Sequence, residues 1–183
     1  MRRIVLGTMF IALLVGMLAS LLNVGVVRAD GKLVQNIITG EYFDTIQEAI
    51  NDADTINNHT ILVYAGYNKT QDLVINKSIC LEGEDRSNTN ITGTGIGDVV
   101  NAMAPNVRIS RFTIWNSGPY QDCVYAEGIQ NLTVESCKLI NRYLGVYALE
   151  SSSVNVTNNI IIDGSYACIA FETTTSGVIA WNE

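Results

Sequence analysis

A pattern of small, apolar and polar positions recurs along the second half of this chain, while the residues themselves change. Val134 to Glu150 and Val156 to Glu172 align without a gap at an offset of 22 residues and share few identities. Val107 and Ile109 map onto Leu132 and Val134 at an offset of 25, and these onto Val154 and Val156 at 22. Ile114, Leu139 and Ile161 keep those offsets. Val124, Val146 and Cys168 form a further column, as do Ala126, Ala148 and Ala170, and Val99 starts the first of these two. The last stretch fits at an offset near 23, with Val156 over Ile179 and Asn159 over Asn182. Such a period is too long for a hairpin and too short for a strand–helix crossover with its loops. One unit of three short strands cannot bury its own apolar face, whereas stacked copies can, each giving the next a packing surface and hydrogen-bond partners. The spacing therefore predicts an all-β chain, a parallel β-helix (solenoid) with coils ~4.8 Å apart and columns of like residues pointing inward. Leucine-rich repeats share the period, but their L-x-x-L-x-L signature is absent.

The first half carries different signals. Met1-Arg2-Arg3 followed by the apolar run Ile4 to Val27 and by Val27-Arg28-Ala29 reads as a signal peptide over residues 1–29, with an uncleaved anchor as the alternative. Residues 30–42 form a lead-in, and residues 43–183 the β-helix. Phe43, Ile46, Ala49, Ile50 and Ala53 recur at three- and four-residue steps, and Thr45 and Glu48 have the spacing of a capping box, so a short helix is predicted over Phe43 to Ala53. Beyond it, alternating pairs such as Ile61 and Val63, Leu73 and Ile75, and Ile79 and Leu81 read as strands between polar turns. The chain stops at Trp181-Asn182-Glu183 with no closing helix. An uncapped C-terminal coil of this kind belongs to a longer chain or to a subunit that associates end to end with another.

Without residues 1–29 the chain has 8 basic against 18 acidic residues, which argues against nucleic acid as a partner. Membrane contact is expected only through the signal or anchor segment. Six N-x-S/T sequons, at Asn58, Asn68, Asn76, Asn90, Asn131 and Asn155, are glycosylation candidates on an exported chain. Cys80, Cys123, Cys137 and Cys168 occupy coil positions that oppose pairing, since Cys123 and Cys168 stand two coils apart, so four free, buried thiols are expected. Asn116, Asn141 and Asp163 share one turn column, and Asn159 and Asn182 another, as stacked amides at turns would. Trp115, Tyr120, Tyr125 and Tyr147 gather in the middle coils with Tyr143 and Arg142, and Ser117 to Gln121 lengthens one turn by three residues. Flat aromatics beside polar groups suit sugar rings, so Trp115, Tyr120, Tyr125, Arg142 and Tyr147 are the candidate ligand-binding residues. Tyrosines packing over one another on a sheet face would give the same pattern.

Phe43 to Ile50 (F-x-T-I-Q-x-A-I), Thr60 to Tyr67 (T-I-x-V-x-x-G-x-Y), Leu73 to Glu84 (L-x-I-x-K-x-x-x-L-x-G-E) and the looser repeat Asn131 to Val146 together resemble pectin-lyase-like right-handed β-helix proteins. They are most similar to the NosD-like repeat proteins of prokaryotic cell surfaces. The resemblance covers about Phe43 to Glu183. It implies a right-handed coil, with the helix at Phe43 capping the first turn. It says little of function, because this scaffold hosts lyases, hydrolases, esterases, adhesins and accessory proteins. Enzymes of the group set aspartates and an arginine on one face. Here Asp98 stands one step off Asp122 in register, Asp163 falls in a turn column, and Arg108, Arg111 and Arg142 are scattered. No two carboxylates are therefore expected on one face of adjacent coils, and catalytic residues are expected to be none. The NosD-like resemblance also implies a role in copper-enzyme maturation, yet His59 is the single histidine and no C-x-x-C or H-x-H occurs, so neither metal nor other cofactor is expected. The leading expectation is an exported, non-catalytic β-helix, secreted or at the cell surface, presenting a surface to polysaccharide or protein. The alternatives are the N-terminal part of a polysaccharide-active lyase or hydrolase with catalytic coils beyond residue 183, and a NosD-like copper accessory protein.

Overall fold

Five coils stack in register, the first with two short strands and each of the other four with three, joined by turns. The structure, a computed structural model, describes residues 31–140, 143–162 and 165–183. Residues 1–29, read above as a signal peptide, and Asn141, Arg142 and Asp163 lie outside the described residues. The chain enters through β1 (Val34–Asn36), β2 (Tyr42–Phe43) and the helix α1 (Ile46–Asn51). The first coil has β3 (Thr60–Val63) and β4 (Leu73–Ile75), and the second β5 (Cys80–Gly83), β6 (Asn90–Thr92) and β7 (Val100–Ala102). The third has β8 (Arg108–Ser110), β9 (Thr113–Trp115) and β10 (Asp122–Glu127), and the fourth β11 (Thr133–Glu135), β12 (Lys138–Ile140) and β13 (Leu144–Leu149). The fifth has β14 (Ser152–Thr157), β15 (Ile160–Ile162) and β16 (Ala167–Glu172), and β17 (Thr175–Ala180) stacks beyond it. Strands from successive coils pair in parallel to form three sheets: β3 to β17 in the first, β6 to β15 in the second, β4 to β16 in the third. The predicted parallel β-solenoid is therefore the fold.

Register follows from the apolar columns, because a slip of one residue would turn an inward row outward. Ile61, Leu81, Ile109, Val134 and Val156 climb the first sheet, and Ile91, Ile114, Leu139 and Ile161 the second. All are buried. Each such side chain contributes roughly 1.5–3 kcal/mol relative to exposure. In the third sheet two columns differ from expectation. Val100, not Val99, pairs with Val124, and Ile169, not Cys168, pairs with Val146. Phe171, not Ala170, stands over Ala148. The turn before β16 is one residue longer than its counterpart before β13, which shifts the register. Packing shows why the large ring is tolerated above two alanines. A Cβ on Gly177 would lie 2.5 Å from the Phe171 ring, so the missing side chain at Gly177 makes room for the phenyl group. The trade preserves volume.

The amide column is present. Asn159 Oδ1 accepts from Cys137 N at 2.8 Å, and Asn182 Oδ1 accepts from Asn159 N at 2.9 Å. Their Nδ2 groups donate back to Val134 O and Val156 O. Each buried turn thus has its backbone satisfied by the next coil's side chain.

The first coil is closed by α1 and by antiparallel pairing of β1 with β3. The helix is shorter than predicted, because Phe43 pairs with Val34 in β2 and the chain leaves the helix at Asp52. Thr45 Oγ1 accepts from Glu48 N at 3.1 Å and the Glu48 carboxylate accepts from Thr45 N at 3.1 Å, completing the capping box. Ile46, Ala49 and Ile50 are buried against the coil end. Gln47 closes the edge of β4, its Nε2 donating to Val74 O at 3.1 Å and its Oε1 accepting from Val74 N at 2.8 Å. A single side-chain amide there replaces the strand that a preceding coil would supply.

All four cysteines are free, as expected, but two are not in the core. Cys123 and Cys137 are buried, Cys80 is half-buried on the outer side of the first sheet, and Cys168 is exposed because the register shift gives its column to Ile169. Burial pushes the Cys123 thiol well up and the Cys137 thiol up to about 12. In the folded protein a thiol reagent should label Cys168 first and Cys80 slowly, with Cys123 and Cys137 labelled only after denaturation. Thr45→Ala should lower stability by about 1 kcal/mol in urea melts.

Candidate functional site

The third sheet and the corner before it hold five tyrosines in register. Parallel stacking repeats each position at the coil spacing, so a tyrosine at one coil position lies directly over a tyrosine one period later. Tyr125 pairs with Tyr147 at 5.7 Å between ring centroids, and both point outward between inward valine and alanine columns. At the corner, Tyr120, Tyr143 and Tyr166 form a second row, with centroids 5.9 Å and 5.0 Å apart. Tyr120 is 80% and Tyr166 71% exposed. Tyr166 and the corner role of Tyr143 escape the sequence-based site set, although an even step of 23 residues links the three. The long turn carrying Tyr120 is seated by Gly118, where a Cβ would lie 2.1 Å from Ile96 O. Only glycine permits that approach.

The expected ligand-binding set is divided by the fold. Tyr120, Tyr125 and Tyr147 belong to the corner and the third sheet. Trp115 is 43% exposed at the end of β9, in the second sheet, between Thr92 and Ile140. Arg142 lies outside the described residues. Asn58, Asn68, Asn76 and Asn131 are exposed, while Asn90 and Asn155 are partly covered in β6 and β14. The Asn131 amide donates to Asn106 Oδ1 at 2.9 Å.

Two tyrosine hydroxyls are committed to carboxylates on the same sheet face. Tyr125 donates to Glu127 at 2.7 Å and Tyr147 to Glu172 at 2.5 Å. Burial, then the bond to Glu127, raises the Tyr125 phenol; the bond to Glu172, then burial, pushes Tyr147 up to about 12. Beside Tyr125 is an open recess of about 180 Å³ lined by Asn101, Ala102, Met103, Tyr125 and Glu127. It is smaller than the ~300–1,000 Å³ of an enclosing small-molecule pocket. The face is a platform, not a cleft.

The carboxylates that register was expected to separate do meet. With Val100 paired to Val124, Asp98 falls one coil below Asp122 at an offset of 24, and Asp98 Oδ1 accepts from Asp122 N at 2.7 Å. Asp122 accepts in turn from Leu144 N, and Asp72, below them, accepts from Thr94 N at 2.9 Å. Asp122 is 4% exposed and its Oδ1 has no hydrogen-bond partner among the described residues. Burial, then the Asp98 charge, pushes its carboxyl up to about 7. Burial, then Asp72, also raises Asp98, against the bond from Asp122 N–H. A neutral Asp122 can donate where the ionised form can only accept. Because Asp122 is enclosed, it does not touch a ligand on the tyrosine face, and the row acts on stability.

Fold and face together define a parallel β-solenoid with a registered aromatic surface. Over 115 residues, 61% of the chain, it is 27% identical to a cell surface glycoprotein of Methanothermus fervidus, and the match spans 18% of that protein. No family model and no solved structure matches. No helix among the described residues is long and apolar enough to cross a membrane.

The raised Asp122 pKa fixes the sign of a pH effect. The folded chain holds this proton more tightly than the unfolded one, whose aspartate titrates near ~3.9, so stability is greatest below that value and is lost as pH rises through about 7. Asp122→Asn, which keeps the neutral shape, should gain roughly 2 kcal/mol more over the parent at pH 8 than at pH 5 in thermal melts. Equal gains at both would remove the assignment.

Proposed function

We propose that this chain is an extracytoplasmic, cell-surface β-solenoid that binds polysaccharide without catalysing its cleavage, through the tyrosines of the third sheet and its corner. The carrying observation is the registered row Tyr120, Tyr143 and Tyr166 beside the Tyr125–Tyr147 pair. Successive rings of the corner row stand 5.9 Å apart edge-on, Tyr120 to Tyr143, and 5.0 Å apart stacked, Tyr143 to Tyr166. Same-side residues of an extended peptide repeat at ~6.7 Å, a poorer match. A chain of pyranose rings presents an apolar face at each sugar, against which an aromatic ring can stack. An open platform without a deep pocket suits a long polymer more than a small molecule. The similarity to a cell surface glycoprotein supports an extracytoplasmic setting, as does the leader-like sequence of residues 1–29. Exposed sequons at Asn58, Asn68, Asn76 and Asn131 are consistent with a glycosylated surface chain.

The enzyme alternative would draw on Asp98 and Asp122, a carboxylate pair on adjacent coils beside this face. The enclosure of Asp122 speaks against it, since a general acid must reach the glycosidic oxygen.

On a glycan array the protein should bind a subset of polysaccharides. Tyr125→Ala and Tyr143→Ala should each weaken that binding by roughly tenfold, the loss of about one stacking contact. Trp115→Ala, on a different sheet, should leave it nearly unchanged. An array without signal, or binding indifferent to the tyrosines, would discard the proposal.

A further inference from the structure

The polar chemistry around the tyrosines selects among polysaccharides. The five strands of the third sheet carry Asp122, Glu127 and Glu172 and no lysine or arginine. Asp98 stands at the same edge. Both phenol protons on the sheet are already donated, Tyr125 to Glu127 and Tyr147 to Glu172. What faces outward is therefore a set of acceptors: two phenol oxygens and the second oxygen of each glutamate. Among the described residues, the Asn101 amide in the recess can donate as well, and the corner phenols of Tyr120, Tyr143 and Tyr166 can both donate and accept. A phenol that gives its proton to a carboxylate keeps an electron-rich ring, and such a ring attracts cations to its face.

From this charge complementarity we infer that the ligand of the tyrosine face is a polysaccharide bearing protonated amino groups, its ammonium groups bonded to Glu127 and Glu172 and its rings stacked on Tyr125 and Tyr147. This inference rests on the polysaccharide reading above and narrows it. An acidic polymer such as a galacturonan, the ligand class that the pectin-lyase-like resemblance would suggest, meets repulsion from Glu127 and Glu172. A neutral polymer can stack but leaves the glutamate oxygens without donors as it displaces their water, which costs binding energy. A polymer with ammonium groups satisfies both.

The test uses the full chain and four probes in mildly acidic, low-salt buffer: a glucosamine hexamer, its N-acetylated counterpart, a galacturonate hexamer and a lysine hexamer. Calorimetry should show the glucosamine hexamer binding at least roughly tenfold more tightly than the acetylated one, with the galacturonate not binding. The advantage should disappear at high salt. It should also disappear in Glu127→Gln/Glu172→Gln, a variant that keeps side-chain shape and whose folding is checked by circular dichroism and melting temperature. Equal binding of the amino and acetylated hexamers, or preference for the galacturonate, would overturn this inference and leave the polysaccharide reading in place. Failure of all three sugars would overturn both. Tightest binding by the lysine hexamer would replace the polysaccharide with a cationic polypeptide.

Discussion

Parallel hydrogen bonding between successive coils is the constraint from which the rest of this structure follows. Each inner strand is paired above and below with strands at the same place in neighbouring coils, so its side chains have the same two neighbours: their counterparts one period away. Chemistry that tolerates stacking on itself is therefore favoured, and chemistry that does not becomes a local cost. Branched aliphatics and alanines stack inward, amides chain along a turn, and tyrosines stack outward. Carboxylates are the exception. Asp98 under Asp122 places two like charges at one coil position, one of them out of water, and the proton that Asp122 retains is how the stack accommodates them.

The same constraint makes the surface. A tyrosine in a loop elsewhere would be a lone exposed ring, but in a coil position it becomes one step of a row. Corner and sheet rows lie side by side because the turn that carries Tyr120 leads directly into β10, where Tyr125 sits. In the sheet row the hydroxyls of Tyr125 and Tyr147 are already engaged with Glu127 and Glu172, which preorganises those rings and fixes the sign of the surface. Ion pairs are placed elsewhere: Arg108 with Glu135 and Arg111 with Glu82 cross the first sheet, and both arginines are spent there. Those two arginines, scattered in sequence, hold coils together on a face other than that of the tyrosines.

Ends obey the rule differently. At the entry, no preceding coil supplies partners for β4, and the Gln47 amide does so from the helix. The helix is short because its work is geometric: three apolar residues fill the coil mouth and the capping box fixes its angle. At the other end, β17 pairs with β14, and Val178 and Ile179 are half exposed on its faces.

Sequence alone determined the solenoid, the helix that closes its entry, the amide row at Asn159 and Asn182, and the outward stacking of Tyr125 on Tyr147. Each depends on a period and on the polarity of single positions, both of which are printed in the order of residues. What only the tertiary structure decided is where turns absorb an extra residue. One residue in the turn before β16 exchanged Cys168 for Ile169 and Ala170 for Phe171, and that exchange was settled by the space over Gly177, which no local pattern records. One residue of register at Val100 brought Asp98 under Asp122. Separation of Trp115 from the tyrosines had the same origin, since a corner between sheets redirects side chains that are close in sequence. Periodicity is a property of the chain, but the length that a turn contributes to a coil is fixed by packing against the coils on either side.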